Sequence, residues 1–402
     1  MRIVIDATAA VSGGKVYLEQ LLPHLARIAD GHEFIIFHTG EFDELTLPRS
    51  RSKFEFRRVA LRLSGVWAGA AIEKLLWRLA VLPVQLWRLE PDLLFSNAGF
   101  APGWKPDSVK TVLALHNSMP LREELIAAER SAPRRWRLRL LRRLMRRALR
   151  RADSSIVFSE DTKRRLIESF GDPAGDVLVV YHGIDWGVRE RGNNSPRIVM
   201  DGPYLLYVSQ FHRYKNVERL VEAFAAIAGK HDQLLLALVG EAVDHGYWRE
   251  VYALALAHGI ADRIRHIAYC DREALIGIYR NALAFVHPSL AETCSFPLLE
   301  AMAMGLPIAA ARESALPEMA ADAAVYFDPY NAGAMAEVLD RLVWDESLRD
   351  KLRERAIARA AAFSWTETAR KTMAVFERVA GFDNEKKVGQ VPNLSGTRRF
   401  DW

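Results

Sequence analysis

The strongest constraint on this chain is a rhythm. Short apolar runs alternate with longer amphipathic stretches, seven runs and then six. The first set is RIVIDA, HEFIIFH, FEFRRVAL, DLLFSN, VKTVLALHN, SSIVFS and VLVVYHG. The second is YLLYVS, LLLALVG, IRHIAY, LAFVHPS, PIAAA and AAVYFD. Amphipathic segments such as Val16 to Arg27 lie between them. Runs this apolar are buried on both faces and the helical spacers supply the cover. The rhythm therefore predicts an α/β chain of doubly wound parallel sheets.

The rhythm pauses once. From Arg189 the chain reads RERGNNSPRIVMDGP, rich in charge, Gly, Asn and Pro and without period, which marks a linker. At 402 residues the chain exceeds what one hydrophobic core organises. We expect two Rossmann-like domains, 1–190 and 200–363, facing across a cleft. A helix at about 364–380 should pack back on the first domain. Residues 381–402 are polar and aperiodic and are expected to be a disordered tail. Two cysteines, Cys270 and Cys294, exclude a disulfide framework and fit a reducing compartment. The N-terminal apolar run is broken by Asp6, unlike a signal peptide. The most apolar window, Gly65 to Trp87, is interrupted by Glu73, Lys74, Arg78 and Pro83, unlike a membrane span. A cytoplasmic protein is expected.

Ligands bind doubly wound sheets at the carboxyl ends of strands, so the loops there are the place to look. The segment HPSLAETCSFPLLEAMAMGLPIAA (287–310) puts Glu292 in such a loop and Glu300 eight residues on. Pro297 suits a first helical turn and Gly305 a helix end, which predicts a helix from about Pro297 to Met304. Its N-terminus, with N–H groups of Leu298 and Leu299, suits a diphosphate. A carboxylate one turn inside, Glu300, can accept from ribose hydroxyls, and Glu292 can accept from a second sugar beyond the phosphates. The pair thus fits a nucleotide sugar, though two unrelated acids would look the same in isolation.

A second loop, in LLYVSQFHRYKNVERLVEAF (205–224), carries His212, Arg213 and Lys215, with Asn216 as the candidate N-cap. Cations there can neutralise a leaving diphosphate; a solvated basic loop is the plain alternative. Gly13 and Gly14 after the first strand permit close approach of backbone to a ligand, or simply a tight turn. His116 ends the strand VKTVLALHN, where a catalytic side chain or a structural histidine can sit. Asn97, at the end of DLLFSN, and Asn117 are further candidate site residues beside His116.

Together these segments resemble the retaining, metal-independent glycosyltransferases of family 4, with their GT-B fold, over nearly all of residues 1–380. HPSLAETCSFPLLEAMAMGLPIAA is the most specific part, supported by VSQFHRYKN, VVYHGID and ALPEMAADAAVYFDP. The resemblance implies that Glu300 holds ribose hydroxyls, Glu292 contacts the transferred sugar, and Lys215 with Arg213 stabilises the diphosphate. It further implies that Gly13 and Gly14 approach the phosphates, that His116 lies near the reacting carbon and acceptor with Asn97 and Asn117 binding the acceptor beside it, and that the backbone of Ser295, Phe296, Pro297, Leu298 and Leu299 contacts the donor. No metal or other cofactor is expected. Two departures stand out. Gln210 occupies a position where many relatives carry arginine, and Thr293, Cys294, Ser295 and Phe296 replace a glycine-bearing loop.

Residues 134–151 hold ten arginines and no acid, so the net charge of +5 becomes −5 without them. Leu138, Leu141, Leu144, Met145 and Ala148 recur at helical spacing among those arginines. Such a basic amphipathic helix can lie on anionic lipid, with Trp67, Trp77 and Trp87 as aromatic neighbours; an ordinary helix with a solvated arginine face is the alternative. A nucleic-acid partner is not expected, since the basic charge is confined to one segment. The other enzymatic readings of the fold are an epimerase or a phosphorylase, the latter needing a pyridoxal-binding lysine that the sequence does not identify.

Overall fold

The computed structural model describes residues 1–10, 13–61, 69–184 and 200–382, with side chains of 69–71 undescribed. Most of the linker, the tail from 383 and Trp67 therefore lie outside the described residues.

Every predicted strand forms, and all of them pair in parallel. In the first domain these are β1 (Arg2–Asp6), β2 (Glu33–His38), β3 (Lys53–Arg58), β4 (Leu93–Ser96), β5 (Lys110–Ala114), β6 (Ser154–Val157) and β7 (Asp176–Val179). The sheet order is β3-β2-β1-β4-β5-β6-β7. The second domain contains β8 (Tyr204–Val208), β9 (Leu235–Val239), β10 (Ile264–Ile267), β11 (Ala284–His287), β12 (Ile308–Ala311) and β13 (Ala324–Phe327). Its order is β10-β9-β8-β11-β12-β13. Central strands such as β4, β8 and β11 are buried along their whole length, as helices on both faces require. β3, an edge strand reading KFEFRR, is half-buried.

Strand order reverses between β1 and β4 and again between β8 and β11. A crevice opens at the carboxyl ends of strands at such a reversal. The residues after β1, β4, β8 and β11 include Gly13, Asn97, Lys215 and Glu292. The topology alone thus gathers four short segments that lie far apart in the chain.

The C-terminal helix, Trp365–Val379, lies against the helix Gly13–Ile28 and strands β5 and β6. Phe376 meets Phe95 with ring centroids 5.0 Å apart, and Thr368 donates to the Tyr181 carbonyl at 2.7 Å. No helix among the described residues is long and apolar enough to cross a membrane.

Candidate functional site

Two loops of the second domain are stitched together. Leu290 donates its N–H to the Tyr214 carbonyl at 2.8 Å, and Asn216 donates its side-chain amide to the carbonyls of Pro288 (3.2 Å) and Pro329 (2.8 Å). This corrects the capping role expected of Asn216. It occupies the cap position with φ +62°, which asparagine tolerates, but its amide is spent on the neighbouring loop. The hydroxyl of Tyr247 accepts from Val217 and Glu218 instead.

The stitching brings Lys215 to Glu292, with Nζ to Oε1 at 2.7 Å and both side chains about nine-tenths buried. Burial works against both charges. For the Glu292 carboxylate, Lys215 and His287 outweigh it and hold the pKa well below the usual carboxylate range. For Lys215, Glu292 reverses the effect of burial and raises the pKa. His287 ends β11, fully buried, with Nε2 3.3 Å from the same Oε1.

Glu292 leads into the helix Phe296–Ala303, which starts one residue earlier than predicted because Ser295 caps it. Ser295 Oγ accepts from Leu298 N–H at 3.3 Å, and the Ser295 carbonyl accepts from Leu299 N–H at 3.0 Å. The free N–H groups expected at 298 and 299 are therefore engaged. Ser295 N–H faces the Met319 sulfur at 3.4 Å and Pro297 has no N–H, so Phe296 carries the remaining amide of the stretch. Glu300, one turn inside, contacts Arg272 (3.2 Å) and the Tyr279 hydroxyl (3.2 Å). Arg213 is not brought to Lys215 and Glu292. Glu250 holds it in a bidentate pair at 2.9 and 2.5 Å, over the Tyr247 ring. Cys294 is buried, and burial pushes its thiol pKa far up, which disfavours the nucleophilic thiolate.

The first domain contributes a neutral chain. His116 Nε2 lies 2.6 Å from Asn97 Oδ1, and Asn97 Nδ2 donates to the Gly14 carbonyl at 3.0 Å. This arrangement assigns the proton to His116 Nε2. Desolvation, the main cause, lowers the His116 pKa to about 3 and favours the neutral ring near pH 7. Its surroundings suit orienting a hydroxyl. A methyl at Gly14 would sit 3.2 Å from Asn97 Nδ2, so glycine permits the close approach. Asn117 is exposed and accepts from Met119 N–H at 3.0 Å, shaping the loop after His116.

The two halves touch. Thr293 donates to the His116 carbonyl at 3.2 Å. His182 stacks on Phe296 at 4.5 Å, and a Cβ on Gly13 would lie 3.8 Å from the Phe296 ring. Beside them is a small cavity of about 30 Å³, lined by Val16, Gln20, Arg272, Phe296, Glu300 and Trp365 among others. Its walls are mainly apolar, with Glu300 and Arg272 as the charged groups at its edge. The sequence reading missed Arg272, Tyr279 and His287 as site neighbours. A histidine at a strand's carboxyl end was the one available signal, for His287. Among the described residues no three His, Cys, Asp or Glu side chains are grouped to hold a metal ion.

At its start the arginine helix, Ala132–Leu149, leans on the second domain. Arg134 pairs with Asp244, and nearby Arg130 pairs with Glu250 at 3.0 Å. Met145, Ala148 and Leu149 are buried, whereas Trp136 and Arg143, Arg146, Arg147 and Arg150 are exposed.

The model of the family described as Glycosyltransferase Family 4 matches residues 11–186, and that described as Glycosyl transferases group 1 matches residues 188–359. The serotype-specific mannosyltransferase WbdA of Escherichia coli is 24% identical over 257 residues, 62% of this chain and 31% of that protein. The D-inositol 3-phosphate glycosyltransferase of Thermobifida fusca is 30% identical over 239 residues, 56% of this chain and 55% of that protein. The matched chain thus spans about a third to just over half of these relatives. Sucrose-phosphate synthase from Thermosynechococcus elongatus superposes with a TM-score of 0.73 at 20% identity, over 95% of this chain and 100% of that one. That likeness shows the fold, two Rossmann-like domains in the GT-B arrangement.

Proposed function

The chain belongs to glycosyltransferase family 4, and from that premise we propose that it moves a hexosyl group from a nucleotide sugar to a hydroxyl of a glycan or lipid-linked saccharide. Transfer retains the anomeric configuration and needs no metal. The observation that carries this reading is the buried Lys215–Glu292 pair at 2.7 Å. It sets an ammonium and a sugar-binding carboxylate side by side at the strand-order reversal, beside a helix N-terminus.

In this mechanism Glu300 holds the ribose hydroxyls and Glu292 the hydroxyls of the transferred sugar. The Lys215 ammonium, already ordered by Glu292, stabilises the charge that develops on the leaving diphosphate. Gly13 and Gly14 let the first domain's backbone close on the phosphates. His116, oriented by Asn97, aligns the acceptor hydroxyl, and Asn117 shapes the acceptor loop. Arg213 joins Lys215 only after leaving Glu250. Among mannosyl, glucosyl and rhamnosyl donors, the names of two relatives, a serotype-specific mannosyltransferase and an O-antigen chain mannosyltransferase, favour mannosyl and a role in surface polysaccharide assembly.

Lipid-linked acceptors reside at a membrane surface. We place the exposed arginines of 134–151, with Trp136 and Trp87, against the anionic inner face of the cytoplasmic membrane. Flotation with phosphatidylglycerol vesicles should carry the protein upward, and neutral vesicles should not.

The donor test is a thermal-shift panel with UDP-, GDP-, ADP- and dTDP-sugars in metal-free buffer, on wild type and Glu300→Ala. A ligand that binds the folded state raises the melting temperature. One nucleotide should stabilise the wild type and not the variant. Equal shifts in both would remove Glu300 from the ribose site, and no shift with any donor would count against the transferase reading. NMR of the product's anomeric proton then decides retention.

A further inference from the structure

Resting on the assignment of Glu292 to the transferred sugar, we propose that His287 is a positioning residue for donor-sugar recognition. It fixes the Glu292 carboxylate and, through Ser295, couples it to the start of the phosphate-facing helix. Neither glutamate-loop residue is held by regular secondary structure, but His287 is. It is the last residue of β11, in register with Ala310 of β12, and is fully buried.

Its Nε2 lies 2.8 Å from Ser295 Oγ and 3.3 Å from Glu292 Oε1. Among the described residues, its Nδ1 has no hydrogen-bond partner. These three facts select one tautomer. With the proton on Nδ1, a donor would be buried unpaired while the Nε2 lone pair faced a carboxylate. With the proton on Nε2, the N–H points to Glu292 and Ser295, and only a weak acceptor is left unpaired. Burial, the largest influence, lowers the His287 pKa and keeps the ring neutral although Glu292 favours its charge.

Lys215 and His287 both contact Oε1. They clamp one oxygen from two sides, and Oε2 is the oxygen left to accept a sugar hydroxyl. Ser295 lets the same histidine reach the helix cap. A rigid strand thereby sets a loop carboxylate and a helix terminus together, as a functional constellation requires of its supporting groups.

A double-substitution cycle tests this, using kcat/KM for whichever donor the thermal-shift panel identifies. His287→Leu should lower kcat/KM at least about tenfold, the scale of one hydrogen bond to a charged group. In a Glu292→Gln background the same change should cost less than about twofold, because the effect passes through Glu292. His287→Gln, whose amide can donate from nearly the same place, should restore most of the loss. Additive losses, or a glutamine variant as impaired as the leucine one, would overturn the proposal.

A second readout does not need turnover. In protein labelled with ¹⁵N-histidine, the His287 spectrum should show the Nε2–H tautomer and shift on Glu292→Gln. An Nδ1–H tautomer, or no response, sinks the idea. Failure of every nucleotide sugar to react, with the histidine signal behaving as described, would instead indict the transferase reading.

Discussion

The two faces of the cleft solve the same problem by opposite means. The second domain presents charges that are neutralised in advance: Lys215 with Glu292, Arg272 with Glu300, Arg213 with Glu250. The first presents neutral groups in series, from Gly14 through Asn97 to His116. A diphosphate must be met by charge, and a charge kept in a closed site needs a partner while it waits. An acceptor hydroxyl needs direction more than charge. The pairing on one side and the neutrality on the other follow from what each face is proposed to hold.

The largest expected effect breaks the charged face. Lys215→Ala leaves the Glu292 carboxylate buried without its main partner. Urea unfolding should show a loss of about 3 kcal/mol, and kcat/KM should fall by roughly 10³. A loss confined to activity would mean the pair is open to solvent in solution.

Acid should act on the neutral face and the join. His182 is buried and His116 half-buried, and desolvation, the main cause, depresses both pKa values, that of His116 to about 3. A histidine with a depressed folded pKa takes up its proton only on unfolding. Stability is therefore full above the ordinary pKa of about 6.5 and declines as pH falls below it. Each such group withdraws up to about 1.4 kcal/mol per pH unit down to its folded pKa. Melting temperature followed from pH 7 to 4.5 should fall, and less steeply in His182→Phe.

A smaller effect is expected one residue back. Asn97→Ala removes the group that orients His116, and kcat should fall roughly tenfold with donor affinity unchanged. A change in nucleotide binding instead would mean that the two faces are not separable. The smallest effect belongs to Gly14→Ala. Its methyl meets a side-chain amide at 3.2 Å that can shift, so stability should change by under about 1 kcal/mol and turnover a few-fold.

The two faces also differ in how legible they are. Glu292, Ser295 and Glu300 lie within nine residues of sequence, so the helix and its proline disclose where the two glutamates fall, though not that Ser295 caps the helix and engages its first amides. The strands were equally plain, because burial on both faces demands unbroken apolar runs, although the edge position of β3 emerged only from the sheet order. The hidden features depend on distant contacts. Lys215 and Glu292 are 77 positions apart, and no local pattern announces that Asn216 will bond across loops rather than cap. Arg213 reads as a phosphate ligand until Glu250, 37 positions on, is seen to hold it. The arginine helix reads as a lipid-facing stripe, or else a solvated one, yet Arg134 and the preceding Arg130 anchor its start on Asp244 and Glu250 in the other domain, since a sequence does not say which arginines meet an acid.

The returning helix has a consequence for biogenesis. Trp365 sits beside Tyr17 and His182, Phe376 fills against Phe95, and Ser364 bridges Ile184. A ribosome releases Tyr17 and Phe95 long before it releases Phe376. While the second domain is being made, the first has an apolar face awaiting its last helix. Contacts that join sequence so distant form slowly, and nascent chains with uncovered surface are the ones that aggregate. The first domain should therefore complete its core only after the returning helix has emerged, behind the second domain rather than ahead of it.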